Sequence, residues 1–131
     1  MAASVTTVRV RYAETDKMGV VYYANFLVWF EVARADLLRS RGWTYREMEA
    51  AGVSLPVIEA HCEYLRPARY DDEIDVRTEG EMVSPVRMRF SYTVVRRADQ
   101  VVAARGYTVH AAVDPAGRPC RLPPRVQEVF A

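Results

Sequence analysis

The sequence predicts an α+β domain in which a curved antiparallel sheet of about five strands wraps around one long helix. Three observations lead there. Residues 86–94 alternate without a break, Val86, Met88, Phe90, Tyr92 and Val94 against Arg87, Arg89, Ser91 and Thr93, which is the two-residue period of a strand with one buried face. Phe26, Phe30, Ala33 and Leu37 recur instead at helical spacing and form a single apolar stripe. The order is one strand, one long helix, then about four strands, so a lone helix must serve the whole sheet.

Each element has its own signal. Val8, Val10 and Tyr12 alternate with Arg9 and Arg11, so the first strand is expected to run up to Tyr12 with one face buried. Residues 13–24 follow as a loop that bends at Gly19. Asn25 is expected to cap the helix, its side-chain oxygen accepting from a free N–H of the first turn. On the outer side Glu31 with Arg34, and Asp36 with Arg39, stand three apart, where helix side chains pair. Gly42 ends this helix. Thr44 and Glu47 form a capping-box pair for a short second helix that Gly52 closes.

The rest reads as strands. Ile58, Ala60, Cys62 and Tyr64 alternate with Glu59, His61 and Glu63, and Arg66-Pro67 with Asp71-Asp72 interrupt the pattern. Ile74 and Val76 alternate with Asp75 and Arg77 towards the Ser84-Pro85 turn. A last long strand over 101–113 stops at Asp114-Pro115-Ala116-Gly117. The tail carries Pro119, Pro123 and Pro124 and one helical turn up to Phe130. One helix cannot cover both faces of such a sheet, so a partner subunit is expected to bury the remaining face or an edge.

Bulk properties narrow the function. At 131 residues there is room for one domain spanning 1–131 and little else. A net charge of +1 leaves no electrostatic footprint for nucleic acid or an anionic membrane. Residues 1–7 lack the charged-then-apolar pattern of a signal peptide. The apolar stretch 19–30 is broken by Asn25 and is too short to span a bilayer, so a cytoplasmic protein is expected. Cys62 and Cys120 have neither CxxC spacing nor histidine neighbours, which fits reduced thiols better than a disulfide. No His, Cys or carboxylate cluster has metal-ligand spacing, so no metal and no cofactor are expected.

The chemistry concentrates in residues 9–26. A carboxylate, Asp16, stands in an irregular loop directly before a helix, whose N-terminal N–H groups and partial positive charge can stabilise an oxyanion. Gly19, without a Cβ, lets the backbone approach a ligand closely. Thioester cleavage needs little more: donors to polarise the carbonyl, and a carboxylate to attack it or to deprotonate water. An Asp before a helix is also an ordinary turn or capping residue, and from the residues alone both readings stand. Glu14 and Asp72 are read as solvated charges.

The same stretch resembles the signature of the 4-hydroxybenzoyl-CoA thioesterase family, and especially its Tol–Pal-associated acyl-CoA thioesterase branch. The likeness lies in the Arg9-Val10-Arg11 strand end, Thr15-Asp16, Gly19-Val20-Val21, and the aromatic-rich segment Tyr22-Tyr23-Ala24-Asn25-Phe26. It continues through Glu31, Ala33 and Arg34 to residues 64–72, so it covers most of the chain. The resemblance implies a hotdog fold, hydrolysis of an acyl-CoA to an acid and free CoA, and a homodimer or homotetramer with sites between paired subunits. It places the catalytic carboxylate at Asp16 and a first-strand tyrosine at Tyr12. Gly19, Val20, Val21 and Asn25 then fall beside the substrate.

Where many members carry His, seven residues after the Asp, this chain has Tyr23. A phenol can orient a carboxylate or carbonyl but is no general base near neutral pH. Tyr23 is therefore either a site group or a packed aromatic. Arg87 and Arg89 project from one side of their strand and suit CoA phosphates, or are simply solvated. His61 reads as a surface histidine, and His110 shares a face with small residues that lie under a helix or a ligand. Two further readings remain beside acyl-CoA hydrolysis: a thioesterase serving an acyl carrier protein, and a non-catalytic acyl-CoA-binding module.

Overall fold

The computed structural model describes residues 1–131. Its strands are β1 (Ala2–Arg9), β2 (Val57–Tyr64), β3 (Glu73–Ser84), β4 (Arg87–Arg96) and β5 (Val102–Ala111); its helices are α1 (Asn25–Ser40), α2 (Tyr45–Ala50) and α3 (Pro124–Val129). They form one five-stranded sheet in the order β1-β3-β4-β5-β2, antiparallel throughout. The inner face of the sheet holds α1. This is the expected α+β hotdog arrangement.

The helical period decides which side of α1 is buried. Phe26, Trp29, Phe30, Ala33, Leu37 and Leu38 turn inward and meet Ile74, Val76, Met88, Phe90, Tyr92 and Val94 from the sheet. Phe30 stacks flat on Tyr92, with ring centroids 4.1 Å apart. Each such large side chain, once buried, contributes roughly 2 kcal/mol. Gly106 on β5 allows the tightest approach, because a Cβ there would collide with the His61 carbonyl of β2 and press on the Phe30 ring. Thr44 caps α2 as expected, its hydroxyl accepting from Glu47 N–H at 3.0 Å. Gly42 and Gly52 both hold positive φ just beyond their helices.

Several expectations are corrected. β1 ends at Arg9, where its pairing with Glu73 stops. Tyr12 instead opens a short 3-10 turn, Tyr12–Glu14, and is 79% exposed. Asn25 is not the cap: it is the first residue of α1, Ala24 precedes it without a side-chain cap, and the Asn25 amide donates to the Glu14 carbonyl. Asp36 and Arg39 pair at 2.7 Å, but Arg34 does not pair with Glu31. Its Nε is buried, and its guanidinium lies near the Tyr45 and Tyr92 phenols. β2 alternates in sequence yet only Cys62 on it is even half-buried; it is an edge strand, met by Phe26 of α1 at its Tyr64 end.

Candidate active site

The loop between β1 and α1 is built around Asp16. Thr15 and Val21 bridge in antiparallel fashion, Asp16 N–H donates to the Val20 carbonyl at 2.8 Å, and Gly19 N–H returns to the Asp16 carbonyl at 2.9 Å. Gly19 closes this turn at φ +81°, a conformation other residues adopt only with strain. One carboxylate oxygen of Asp16, Oδ1, accepts from Met18 N–H at 2.9 Å. The other carries no hydrogen bond and remains available to a ligand.

Beside it lies a cavity of about 300 Å³. Asp16, Met18, Val20, Val21 and Tyr23 form one side, Phe26 the helix side, and residues 64–68 the other wall. That wall comes from the segment after β2, which Val21 N–H ties down by donating to the Ala68 carbonyl at 2.8 Å. The lining is mostly apolar and aromatic. Tyr64 stands edge-on to both Phe26 and Tyr23, and its hydroxyl donates to the Tyr23 carbonyl. Burial, with Cys62 beside it, pushes the Tyr64 phenol up to about 12, so it stays protonated and a donor. Tyr22 packs on Tyr23, whose phenol raises the Tyr22 pKa, with a smaller push from the Asp16 charge.

The donors are not where the helix start alone suggests. The N–H groups of Asn25, Phe26 and Leu27 already bond back to the carbonyls of Tyr22, Tyr23 and Ala24. The N–H groups of Val20, Tyr23 and Ala24, just ahead of α1, make no hydrogen bond. With the Lys17 N–H, they are the unused backbone donors between Asp16 and α1.

The structure thus brings together Asp16, Tyr23, Val20 and Val21, with Gly19 in the same turn. Tyr12 stays outside the cavity, edge-on to Tyr70 at 5.6 Å. The Asn25 amide is spent on Glu14. Arg87 and Arg89 lie elsewhere, towards the end of the sheet away from Tyr64, where their strand pairs with Ala111 and Val109; Arg89 covers the Tyr107 ring at 4.0 Å. His61 is exposed and stacks on Tyr107. His110 is fully buried in the core, away from the cavity. No group of three or more His, Cys, Asp or Glu side chains is gathered that could hold a metal ion, both cysteines are free, and no helix is long and apolar enough to cross a membrane.

Two residues escaped the sequence reading. Arg66 lines the cavity while remaining exposed; its place in the 64–72 segment was the available signal. Glu14 is no solvated charge but a buried carboxylate, 6% exposed, accepting from Trp29 Nε1–H at 2.9 Å. Nothing in its spacing distinguishes it from a surface acid. A larger groove of about 480 Å³ crosses the sheet near Ser4, Arg77 and Ser91, but it has no free backbone donors of a helix start beside a carboxylate, and the Asp16 cavity is the better chemical candidate.

Comparison with known proteins points the same way. The model of the thioesterase-like superfamily matches residues 10–130. The acyl-CoA thioester hydrolase YbgC of Escherichia coli is 31% identical over 124 residues, covering 94% of this chain and 92% of that one. Among solved structures, a DHNA-CoA thioesterase from Staphylococcus aureus superposes with a TM-score of 0.87 at 35% identity, covering 93% of this chain and 82% of its own. A hypothetical protein from Aquifex aeolicus reaches a TM-score of 0.91 at 34% identity, covering 98% and 99%.

Proposed function

The chain belongs to the thioesterase-like superfamily and is a thioester hydrolase; from that premise we propose that it cleaves acyl-CoA in the Asp16 cavity, with Asp16 as its catalytic carboxylate. The observation that carries this reading is the pairing of a free carboxylate oxygen with unused backbone donors beside one apolar cavity. The acyl group lies against Val21, Phe26 and Tyr64. The N–H groups of Tyr23, Ala24 or Val20 receive the thioester oxygen as it gains charge. Asp16 then attacks the carbonyl carbon, or takes a proton from a water that does. The C–S bond breaks and the CoA thiolate leaves; where Asp16 is the nucleophile, water then hydrolyses the acyl–Asp16 anhydride, and on either route the acid and free CoA are released. The Tyr23 phenol orients the reacting groups and takes no proton.

The finer family placement, in the 4-hydroxybenzoyl-CoA thioesterase family near its Tol–Pal-associated branch, rests on Thr15-Asp16, Gly19-Val20-Val21 and residues 64–72. CoA rather than a carrier protein is favoured by the names of the relatives, which act on CoA thioesters. Arg66, the one cation lining the cavity, is available to the CoA phosphates. Arg87 and Arg89 approach a site only across a subunit boundary, where antiparallel pairing of β2 edges would bring a partner's far sheet end alongside Tyr64. Tyr12, outside the cavity, is a rim contact. The enzyme is read as cytoplasmic and cofactor-free.

The test is Asp16→Asn, which keeps size and most hydrogen bonding but removes the charge. Turnover on the best acyl-CoA, read by free-thiol release, should fall roughly 10²–10⁴-fold, the usual worth of a positioned acid–base group, with KM little changed. Near-normal turnover with a small loss of melting temperature would make Asp16 a turn residue.

A further inference from the structure

We propose that Glu14 is a positioning residue for this reaction, holding Asp16 at a fixed place relative to the unused N–H groups ahead of α1. The inference rests on the role of Asp16 proposed above. Glu14 is the only buried acid of the chain, and a carboxylate is costly to bury unless its oxygens find donors. Here they do. Oε2 accepts from Trp29 Nε1–H at 2.9 Å, in the second turn of α1, and Oε1 accepts from Arg11 N–H at 2.8 Å, two residues beyond β1. The Arg11 guanidinium stands 3.4 Å from Oε1. The main-chain carbonyl of Glu14 accepts twice more, from Tyr22 N–H at 2.9 Å and from the Asn25 amide at 2.8 Å.

These bonds bracket the Asp16 turn on both sides. The turn leaves Glu14 through Thr15 and returns through Val21 to Tyr22, which is bonded to Glu14 again. Tyr23 and Ala24, whose N–H groups are free, follow directly. The separation between the Asp16 carboxylate and those donors is therefore set through one residue that grips strand, loop and helix together. An apolar side chain would fill the same space, but without directional acceptors it would not fix the turn. A misplacement of about 1 Å in such a site costs roughly 10²-fold in rate.

The chemistry of the anchor supplies a sharp test. Both carboxylate oxygens face N–H donors, so in Glu14→Gln the amide must set its own N–H against one of them. We expect kcat to fall about 10–100-fold while KM stays within about threefold. Combined with Asp16→Asn, the same change should lower the residual turnover less than about twofold, because groups that act through one another are not additive. Trp29→Phe removes the opposing indole donor, so Glu14→Gln with Trp29→Phe should turn over faster than Glu14→Gln alone. Should Glu14→Gln fail to fold, the double variant is read against Trp29→Phe instead: a lower kcat with KM within about threefold supports the positioning role, and an equal kcat overturns it.

An equal fold-loss in the native and Asp16→Asn backgrounds overturns the positioning role and leaves the carboxylate mechanism intact. So does an unchanged kcat in folded Glu14→Gln. Near-normal turnover of Asp16→Asn alone overturns the proposed mechanism, and the positioning role with it.

Discussion

His110 sits at the end of a buried hydrogen-bond chain whose direction can be worked out donor by donor. Its Nδ1 lies 3.0 Å from the Leu55 carbonyl, which only accepts, so Nδ1 carries the proton. Nε2 is then an acceptor, and the Thr108 hydroxyl donates to it at 2.9 Å. Thr108 accepts in turn from the Tyr92 hydroxyl at 2.7 Å. Protonating His110 would force the Thr108 hydroxyl to turn its hydrogen away from Nε2 and reverse its role from donor to acceptor. Burial also disfavours the charge, and the nearby Arg34 guanidinium adds to this, so the pKa falls to about 4. A histidine depressed in the folded state from an ordinary value near 6.5 contributes stability that is complete above about pH 6.5 and is lost as pH falls towards 4. The full loss is on the order of 3 kcal/mol. His110→Gln should be less stable than the native protein at pH 7 but show a shallower fall between pH 6.5 and 4. Parallel melting curves across that range would sink the assignment.

At the scale of elements, short signals held up where a local bond satisfies them. Thr44 caps α2 through its own hydroxyl, so Thr44→Ala should cost about 1 kcal/mol in chemical denaturation. Neither Thr44 nor any α2 residue lines the Asp16 cavity, which predicts unchanged kcat, and a parallel loss of turnover would mean that α2 communicates with the site. The alternation of β4 predicted its burial directly, because β4 lies mid-sheet under α1. The same alternation in β2 predicted a half-buried strand and met an exposed one. Periodicity tells which side chains share a face, but not whether anything covers that face.

The uncovered face matters for the whole molecule. β2 pairs only with β5, leaving one edge of backbone donors and acceptors open. Val57, Ile58 and Tyr64 along it are exposed, as are Val28 and Val32 on α1. Open, apolar edge strands invite pairing with another chain, and a two-fold interface would match this edge with itself. The proposed assembly is a dimer through β2, with or without further pairing into a tetramer. Sedimentation at micromolar concentration should give a dimer or larger, and Ile58→Glu should shift it towards monomer with loss of turnover. A native monomer with full activity would defeat both the interface and the shared site.

The sequence by itself determined the α+β class, the strand and helix order, the inward stripe of α1 and the turn that carries Asp16. These follow from periods of two and 3.6 residues and from local caps and glycines, which act over a few residues and so are written in adjacent positions. The tertiary structure alone decided the fates of Glu14, Arg34 and Asn25. A carboxylate becomes an anchor only when Trp29 arrives across the loop, and a guanidinium turns inward only when the Tyr45 and Tyr92 phenols lie opposite it. It likewise moved the free donors from the first helical residues to Tyr23 and Ala24, because the turn of backbone before α1 had already used the others. Such partners are distant in the chain, and their energies depend on burial, which no local spacing encodes.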